Sequence, residues 1–474
     1  MSGSQRVVTL RKVPISLGLI AVERAVIIER PPLVRRRATS VTGRACKPVG
    51  PAYPQTMGRV VITSAAYLGD VAPYIPIGRR LVEAGHSVTF VAPAGFGSIL
   101  AAEPFVHHHY GLDFSAASMH ADPEHTRLMR HPLVNTPRLA KYWLKRSYLD
   151  DPAAVEESIA KALKAADVLV THPAVAMISL PLAYEADVPG VVGHLFPMLL
   201  PTERWTPSMP YGFQAPRVVN RYAWKAYDLF GKLAFPEAEI NDLRRRTGMP
   251  TRDGAAVSAY RDAVETVMLT SSRYAPPADD WPPVTVAGFS IWDGPPDAEI
   301  PAELDTYIDD GAPPVLVTLG TSAATDAAAR FARIRTDLAA RGLRSIVLAG
   351  NEANAAALAG QPGVVPFAPL TKVLPRCRAA VLSGALGSVA ASLAAGIPIV
   401  IHPQLWDQFW HGRQVTKLGA GTLARNVGQI ASSVDSVLGD DTTRAARELS
   451  IAIADEDGPG IMVAAVERAM ASSR

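Results

Sequence analysis

Between Leu382 and Gln408 the chain reads LSGALGSVAASLAAGIPIVIHPQLWDQ. A strand pattern, AAVLS, runs into glycines at 384 and 387, then into an alanine-rich helical stretch from Ser388 to Ala395, then through Gly396 into a second apolar strand pattern. A glycine turn that opens a helix leaves backbone N–H groups unpaired at the positive end of the helix dipole. Its chemistry is therefore anion binding, with phosphate the natural guest. Glycines of this kind also let a helix pack closely on a sheet, so the turn alone leaves both readings open. Two other groups of residues suggest metal chemistry and do not sustain it. HHHY (107 to 110) sets three histidines in an extended segment, where neighbours alternate in direction and cannot all face one ion; it reads as a surface or crevice loop. The acidic clusters Asp279-Asp280, Asp309-Asp310 and Asp455-Glu456-Asp457 fall in linkers or near turns and read as solvated, so no essential metal is expected.

The elements that must position the turn follow from hydrophobic period. RVVITS (59 to 64), a short loop, a helical period and SVTFVAP (87 to 93) make a strand, helix, strand unit, which predicts a parallel sheet. DVLVTH (167 to 172), PGVVGHL (189 to 195) and ETVMLTS (265 to 271) read as further strands, apolar on both faces as a sheet covered by helices requires. A proline-dense stretch follows, and then the alternation restarts at PVLVTLG (314 to 320), with strands at RSIVLAG, GVVPFAP, AAVLSG and IPIVIHP. The expected organisation is a basic extension over 1–56, a first domain over 57–275, a linker over 276–305 and a second domain over 306–474. Each domain is a doubly wound α/β unit, and a ligand is expected at the carboxyl ends of the strands and in the crevice between the two halves.

The 474 residues carry a net charge of +3, but residues 1–56 hold ten Lys/Arg against two Glu, leaving 37 basic and 42 acidic residues in the rest. The folded part gives no electrostatic reason to bind nucleic acid. Two cysteines in unrelated contexts imply neither a disulfide framework nor a metal cluster, and a reducing compartment, the cytoplasm, is expected. Apolar runs are too short and too interrupted by charge to span a bilayer, which leaves room for peripheral contact with the inner face of a membrane. A dinucleotide cofactor would ask for G-x-G-x-x-G and an acid at the end of the following strand; the turn here is SGALGS and that strand ends on His402 and Pro403.

The stretch PFAPLTKVLPRCRAAVLSGALGSVAASLAAGIPIVIHPQLWDQFWHGRQVTKLGAG (366 to 421) resembles the donor-nucleotide signature of family 1 glycosyltransferases, the UDP-glycosyltransferase-like enzymes of GT-B fold. RVVITSAAYLGDVAPYIPIGRRLVEAGHSVTFVAP (59 to 93) looks like the start of their acceptor domain, and PPVLVTLGT (313 to 321) like the first strand and turn of their second domain. The resemblance covers the chain from Met57 onward and implies two Rossmann-like domains facing a central cleft. By the family pattern Thr321 contacts the donor diphosphate, Phe367 stacks on the nucleotide base, and Gly384, Gly387 and Ser388 cradle phosphate. Asp407 and Gln408 then hydrogen-bond the sugar hydroxyls, a task suited to an acid beside an amide. Ser383 stands where the family usually has a phosphate-binding histidine, and His402, His411, Lys372 and Arg376 are candidates to supply the missing donor.

The family often places a histidine base in the loop after the first strand; the aligned residue here is Asp70, in YLGDVAPY. A carboxylate there can take the acceptor's proton directly. The competing role is a helix N-cap, but a helix beginning near Pro73 would put both Pro73 and Pro76 where no N–H partner is required and leave Asp70 ahead of the cap. The stretch 194 to 235 mixes aromatics, Met and Pro without a strand period and suggests an apolar acceptor surface, with His194 and Phe196 as its candidates. The expected activity is metal-independent transfer of a hexose or deoxyhexose from a nucleotide diphosphate sugar, UDP- or TDP-linked, to a hydroxyl of a hydrophobic acceptor, with inversion. A protein that binds nucleotide sugar or acceptor without transferring, as an accessory subunit, is the alternative that Ser383 keeps open.

Overall fold

The computed structural model describes residues 57–472 apart from 66, 111–117, 119–120, 132–133, 208–211 and 321–326, and residues Gln55–Arg474 form one compact unit. The extension 1–56 and Thr321 lie outside the described residues. Runs rich in Val, Ile and Leu are buried on both faces, as the sequence pattern predicts, and they build two sheets. The first takes β1 (Arg59–Thr63), β2 (Ser87–Pro93), β3 (Val106–Tyr110), β4 (Val168–Thr171), β5 (Gly190–His194), β6 (Glu265–Met268) and β7 (Thr285–Val286), in the order β3-β2-β1-β4-β5-β6-β7. The second takes β8 (Val315–Thr318), β9 (Ser345–Leu348), β10 (Val364–Val365), β11 (Ala379–Leu382), β12 (Ile399–Ile401) and β13 (Gly421–Leu423), in the order β10-β9-β8-β11-β12-β13. Every pairing is parallel, and helices cover both faces.

In each sheet the strand order reverses at one point: β1 lies between β2 and β4, and β8 between β9 and β11. Loops leaving the strands on either side of such a point diverge and open a crevice. The first sheet thus offers the loops after β1 and β4, and the second those after β8 and β11. These four loops carry the site.

Three departures from the sequence reading concern boundaries and edges. HHHY is no loop: it lies in β3, the edge strand, where His107, His108 and His109 pair with Phe90, Val91 and Ala92 of β2. Its polar residues hide the strand period because an edge strand with an exposed Val106 buries little. β13 was not anticipated, being three residues long; Gly421 lies against the Ile399 carbonyl so closely that a side chain has no room. The boundary between halves is not a clean cut either. β7 belongs to the first sheet although it lies in the expected linker, and the last helix, Gly458–Ser472, packs against the helix Tyr74–Glu83 and against β4, β5 and β6. Gly193 of β5 accommodates it, since a Cβ there would lie 2.9 Å from Met462 Cε. Arg80–Asp457 at 2.7 Å and a hydrogen bond from Ser271 Oγ to Glu456 at 2.9 Å fasten the crossing. Among the described residues no helix is long and apolar enough to cross a membrane.

Candidate active site

After β1 the chain makes one helical turn, Leu68–Val71, and then the helix Tyr74–Glu83, whose N-cap is Pro73. Pro76 falls in the first turn of that helix, as the proline argument requires. Neither helix receives a side-chain cap, so Asp70 caps nothing. Its carboxyl instead faces a cavity of about 530 Å3, lined chiefly by apolar groups that include Tyr67, Trp143, Met177, Ile178, Tyr227 and Phe230. The side chain keeps 28% of its exposure, and it lines this cavity. Burial, seconded by the charge of Asp407, pushes its pKa up to about 7 against the pull of a backbone hydrogen bond from Tyr67. A carboxylate so poised titrates where a general base is most useful.

Asp407 belongs to the second half. It stands at the N-terminus of the helix Gln408–Lys417, again without a capping bond, and its Oδ2 lies 3.2 Å from His411 Nε2. The far side of that imidazole meets Tyr274 OH at 2.8 Å, from the first half. Trp406, just before Asp407, has φ of +55° and reaches into the wall of the cavity that holds Asp70. A tryptophan in this left-handed region costs on the order of 1–2 kcal/mol. Gln408 holds the loop in that shape: its Oε1 accepts from the backbone N–H groups of Gln404 at 2.8 Å and Leu405 at 3.2 Å. Gln408 is 5% exposed and its carbonyl serves the loop, while the Asp407 side chain keeps 24% of its exposure.

The glycine turn has two different reasons for its glycines. Gly384 has φ of +99°, and a Cβ there would lie 2.9 Å from Ile401 and 3.2 Å from the Gln408 carbonyl oxygen; what comes so close is the loop carrying Trp406 and Asp407. Gly387, in the first turn of the helix Leu386–Ala394, faces open space within 4 Å. The N-cap residue Ala385 provides no side-chain acceptor, so the first N–H groups of this helix receive no side-chain cap, as an anion site requires. Ser388 Oγ donates back to Ala385 O at 2.9 Å. Ser383 is 2% exposed and packs on Gly320 of the turn after β8, where a Cβ would come within 3.2 Å of its Oγ.

Three of the four candidates to replace a histidine at 383 are engaged elsewhere, and His402 is engaged through one ring nitrogen only. Lys372 pairs with Glu299, Arg376 with Asp305 and Asp309, and His402 Nδ1 with the Ala424 carbonyl oxygen at 3.0 Å. His411 is held between Tyr274 and Asp407. Arg330, which the sequence reading passed over, bonds Gln404 Oε1 at 2.7 Å and is close enough to help hold His402 below its ordinary pKa, after burial. Phe367 is 48% exposed and rests on Gly294 with one edge. His194 and Phe196 are not on the cavity wall. His194 is fully buried with Nδ1 on the Met198 carbonyl oxygen at 3.0 Å, and Phe196 packs against the rings of Trp410 and His411 between the halves. The stretch 194 to 235 does reach the cavity, but through Met198, Leu199, Tyr227, Phe230 and Phe235.

Residues 341–466 match the family model of the erythromycin biosynthesis protein CIII-like C-terminal domain. Over 425 residues the chain is 27% identical to an O-mycaminosyltylonolide 6-deoxyallosyltransferase of Streptomyces fradiae, covering 84% of this chain and 94% of that one. Over 444 residues it is 26% identical to a sterol 3-beta-glucosyltransferase of Arabidopsis thaliana, covering 86% and 68%. Among solved structures, the glycosyltransferase VinC in complex with dTDP superposes with a TM-score of 0.62 at 15% identity, over 87% of this chain and all of that one. Two parallel sheets of this order match the GT-B fold, and the relatives named above are glycosyltransferases: this chain is a glycosyltransferase of GT-B fold, similar to the family 1 enzymes, and its residues 341–466 match an EryCIII-like C-terminal domain.

Proposed function

We propose that the enzyme transfers a hexose or deoxyhexose from a UDP- or TDP-linked donor to a hydroxyl of a lipophilic acceptor, inverting the anomeric centre and using no metal ion. The observation that carries this reading is Asp70, a carboxyl with a pKa of about 7 in the wall of an apolar cavity of about 530 Å3, beside the loop that bears Asp407. A cavity of this size and lining suits a small hydrophobic molecule. Bound there, an acceptor hydroxyl gives its proton to Asp70 as its oxygen bonds to the anomeric carbon, and the nucleoside diphosphate departs with the electron pair. The helix N-terminus behind Gly384 and Gly387 receives the diphosphate charge, with Arg330 the nearby cation, and Asp407 accepts from sugar hydroxyls. Acceptor from the first half and diphosphate on the second approach the anomeric carbon from opposite sides, which is the condition for inversion. Relatives named for tylonolide and sterol acceptors support a lipophilic acceptor, and a structural neighbour crystallised with dTDP supports a TDP-linked donor. Contact with a lipid surface is supported by the helix Arg217–Ala234, which turns Tyr227 and Phe230 to the cavity while Val218, Tyr222 and Leu229 stand exposed beside Arg217 and Lys225.

The accessory-subunit alternative is not favoured, because a non-transferring protein has no use for a buried carboxyl held at the edge of titration. The test is incubation with TDP-glucose, TDP-rhamnose and UDP-glucose against sterols, macrolactones and phenols, with and without chelator, reading diphosphate release, product mass and anomeric configuration. Donor-specific sugar addition that survives chelator is the expected result. Donor binding with no product across the panel would overturn the reading.

A further inference from the structure

Behind Asp70, on the other side of the first crevice, stands a histidine to which no role has yet been given. β4 ends at Thr171, and His172 is the N-cap of the helix Pro173–Glu185, with Ala174 N–H donating to its Nδ1 at 3.1 Å. That bond settles the tautomer: Nδ1 supplies the lone pair, so the proton of the neutral ring is on Nε2. His172 is 1% exposed, and burial, with His194 nearby, holds it in the neutral form. Nε2 lies 3.6 Å from Asp70 Oδ1 and has no hydrogen-bond partner. A buried N–H left unpaired is costly, and this one is directed at a carboxylate just beyond bonding range.

The other groups around Asp70 are occupied or of the wrong kind. Tyr74 OH donates to the Gly193 carbonyl and Tyr110 OH to the Ser64 carbonyl. Tyr67, on the same turn, gives its backbone N–H to the carboxylate and rests its ring at a tilt against Trp143, and Asp407 presents a like charge. The N–H of His172 is therefore the side-chain donor in place to complete the orientation that the Tyr67 backbone bond begins.

We propose that His172 is a positioning residue for Asp70: when acceptor fills the cavity, Nε2–H closes onto Oδ1 and leaves Oδ2 turned to the acceptor hydroxyl. Hydrogen bonds at an empty active site are commonly long and tighten in the substrate complex, and the gap to be closed here is under 1 Å. His172 moves no proton. Its Nδ1 is committed to the helix and its burial opposes a charged ring, so the proton taken from the acceptor stays on Asp70 while the acceptor oxygen bonds to the anomeric carbon and the diphosphate leaves. The proposal rests on Asp70 being the base, and the experiment separates the two.

The histidine has two jobs, and His172→Asn divides them: asparagine is a good N-cap for the helix but has no N–H that reaches Asp70. His172→Gln carries an amide N–H on a longer arm. The direct readout is the carboxyl carbon-13 titration of Asp70 in aspartate-labelled protein saturated with the sterol or macrolactone that the enzyme accepts, its signal identified by absence in Asp70→Asn. Losing a donor to the charged form raises the Asp70 pKa, so His172→Asn moves the titration and the acidic limb of kcat to higher pH, and kcat at pH 7 falls 10- to 100-fold with KM for the acceptor within about twofold. His172→Gln recovers part of both. Asp70 titrating in both variants as it does in the parent would overturn the proposal. A shifted titration in an enzyme whose Asp70→Asn variant stays fully active would sustain the contact and remove Asp70 as the base.

Discussion

Replacing Asp70 with Asn sets activity and stability against each other by a calculable amount. The carboxyl titrates near 3.9 in an unfolded chain and at about 7 in the folded enzyme, a difference of about three units. At 1.36 kcal/mol per unit, ionising it inside the protein costs about 4 kcal/mol. The sign follows from linkage. The folded state binds the proton more tightly than the unfolded one, so the contribution to stability is complete below pH 4 and is lost as pH rises through 7. Asparagine is nearly isosteric and never ionises. Asp70→Asn is therefore expected to match the parent enzyme at pH 4.5 to within about 1 kcal/mol and to exceed it at pH 8 by up to about 4 kcal/mol, while kcat falls about 10²- to 10⁴-fold through loss of the base. Urea unfolding at both pH values, followed by tryptophan fluorescence, measures the first expectation, and product formation under saturating substrates the second. A variant no more stable than the parent at pH 8 would refute the claim that Asp70 is held ionised against a desolvation cost; undiminished kcat would refute its role as base.

Removing the like charge in Asp407→Asn is expected to lower the Asp70 pKa and carry the acidic limb of the rate profile to lower pH, with a raised KM for the donor; a limb that stays in place would show the two carboxylates to be uncoupled. Gly384→Ala puts a Cβ 2.9 Å from Ile401 on a backbone with φ of +99°, so a loss of about 1–3 kcal/mol in unfolding free energy is expected, together with weaker binding of dTDP by calorimetry. Ile178→Trp fills the cavity beside Asp70 and should raise KM for bulky acceptors while leaving dTDP affinity within twofold.

How far the sequence carries depends on how local the signal is. The strands buried on both faces declare themselves by unbroken Val, Ile and Leu, and Asp70 and the glycine turn follow because each sits at the end of such a strand. β3 is hidden because an edge strand tolerates three histidines. The cavity is hidden for another reason: Tyr67, Trp143, Ile178 and Phe230 come from four separate segments and meet only once the sheet is assembled. His172 is legible as a strand end but not as a neighbour of Asp70, since that requires β4 to lie beside β1. Gln408 carries the expected amide, yet only the structure shows its carbonyl turned inward to hold Trp406. The last helix carries only a weak apolar stripe, and even a clear one would not say which sheet it covers.

That helix has a consequence for the order in which the protein is made. The ribosome delivers the first sheet long before residues 458–472, yet Met462 and Val466 belong to the apolar core that also holds Val60, Tyr74 and Val191. The face of the early half remains open while the whole second sheet is made, and it is sealed by residues 458–472, which follow that sheet. A chain ending at residue 457 should therefore lose stability in the acceptor half, and chimeras that exchange nucleotide-binding halves should keep residues 458–472 from the parent that supplies the acceptor half.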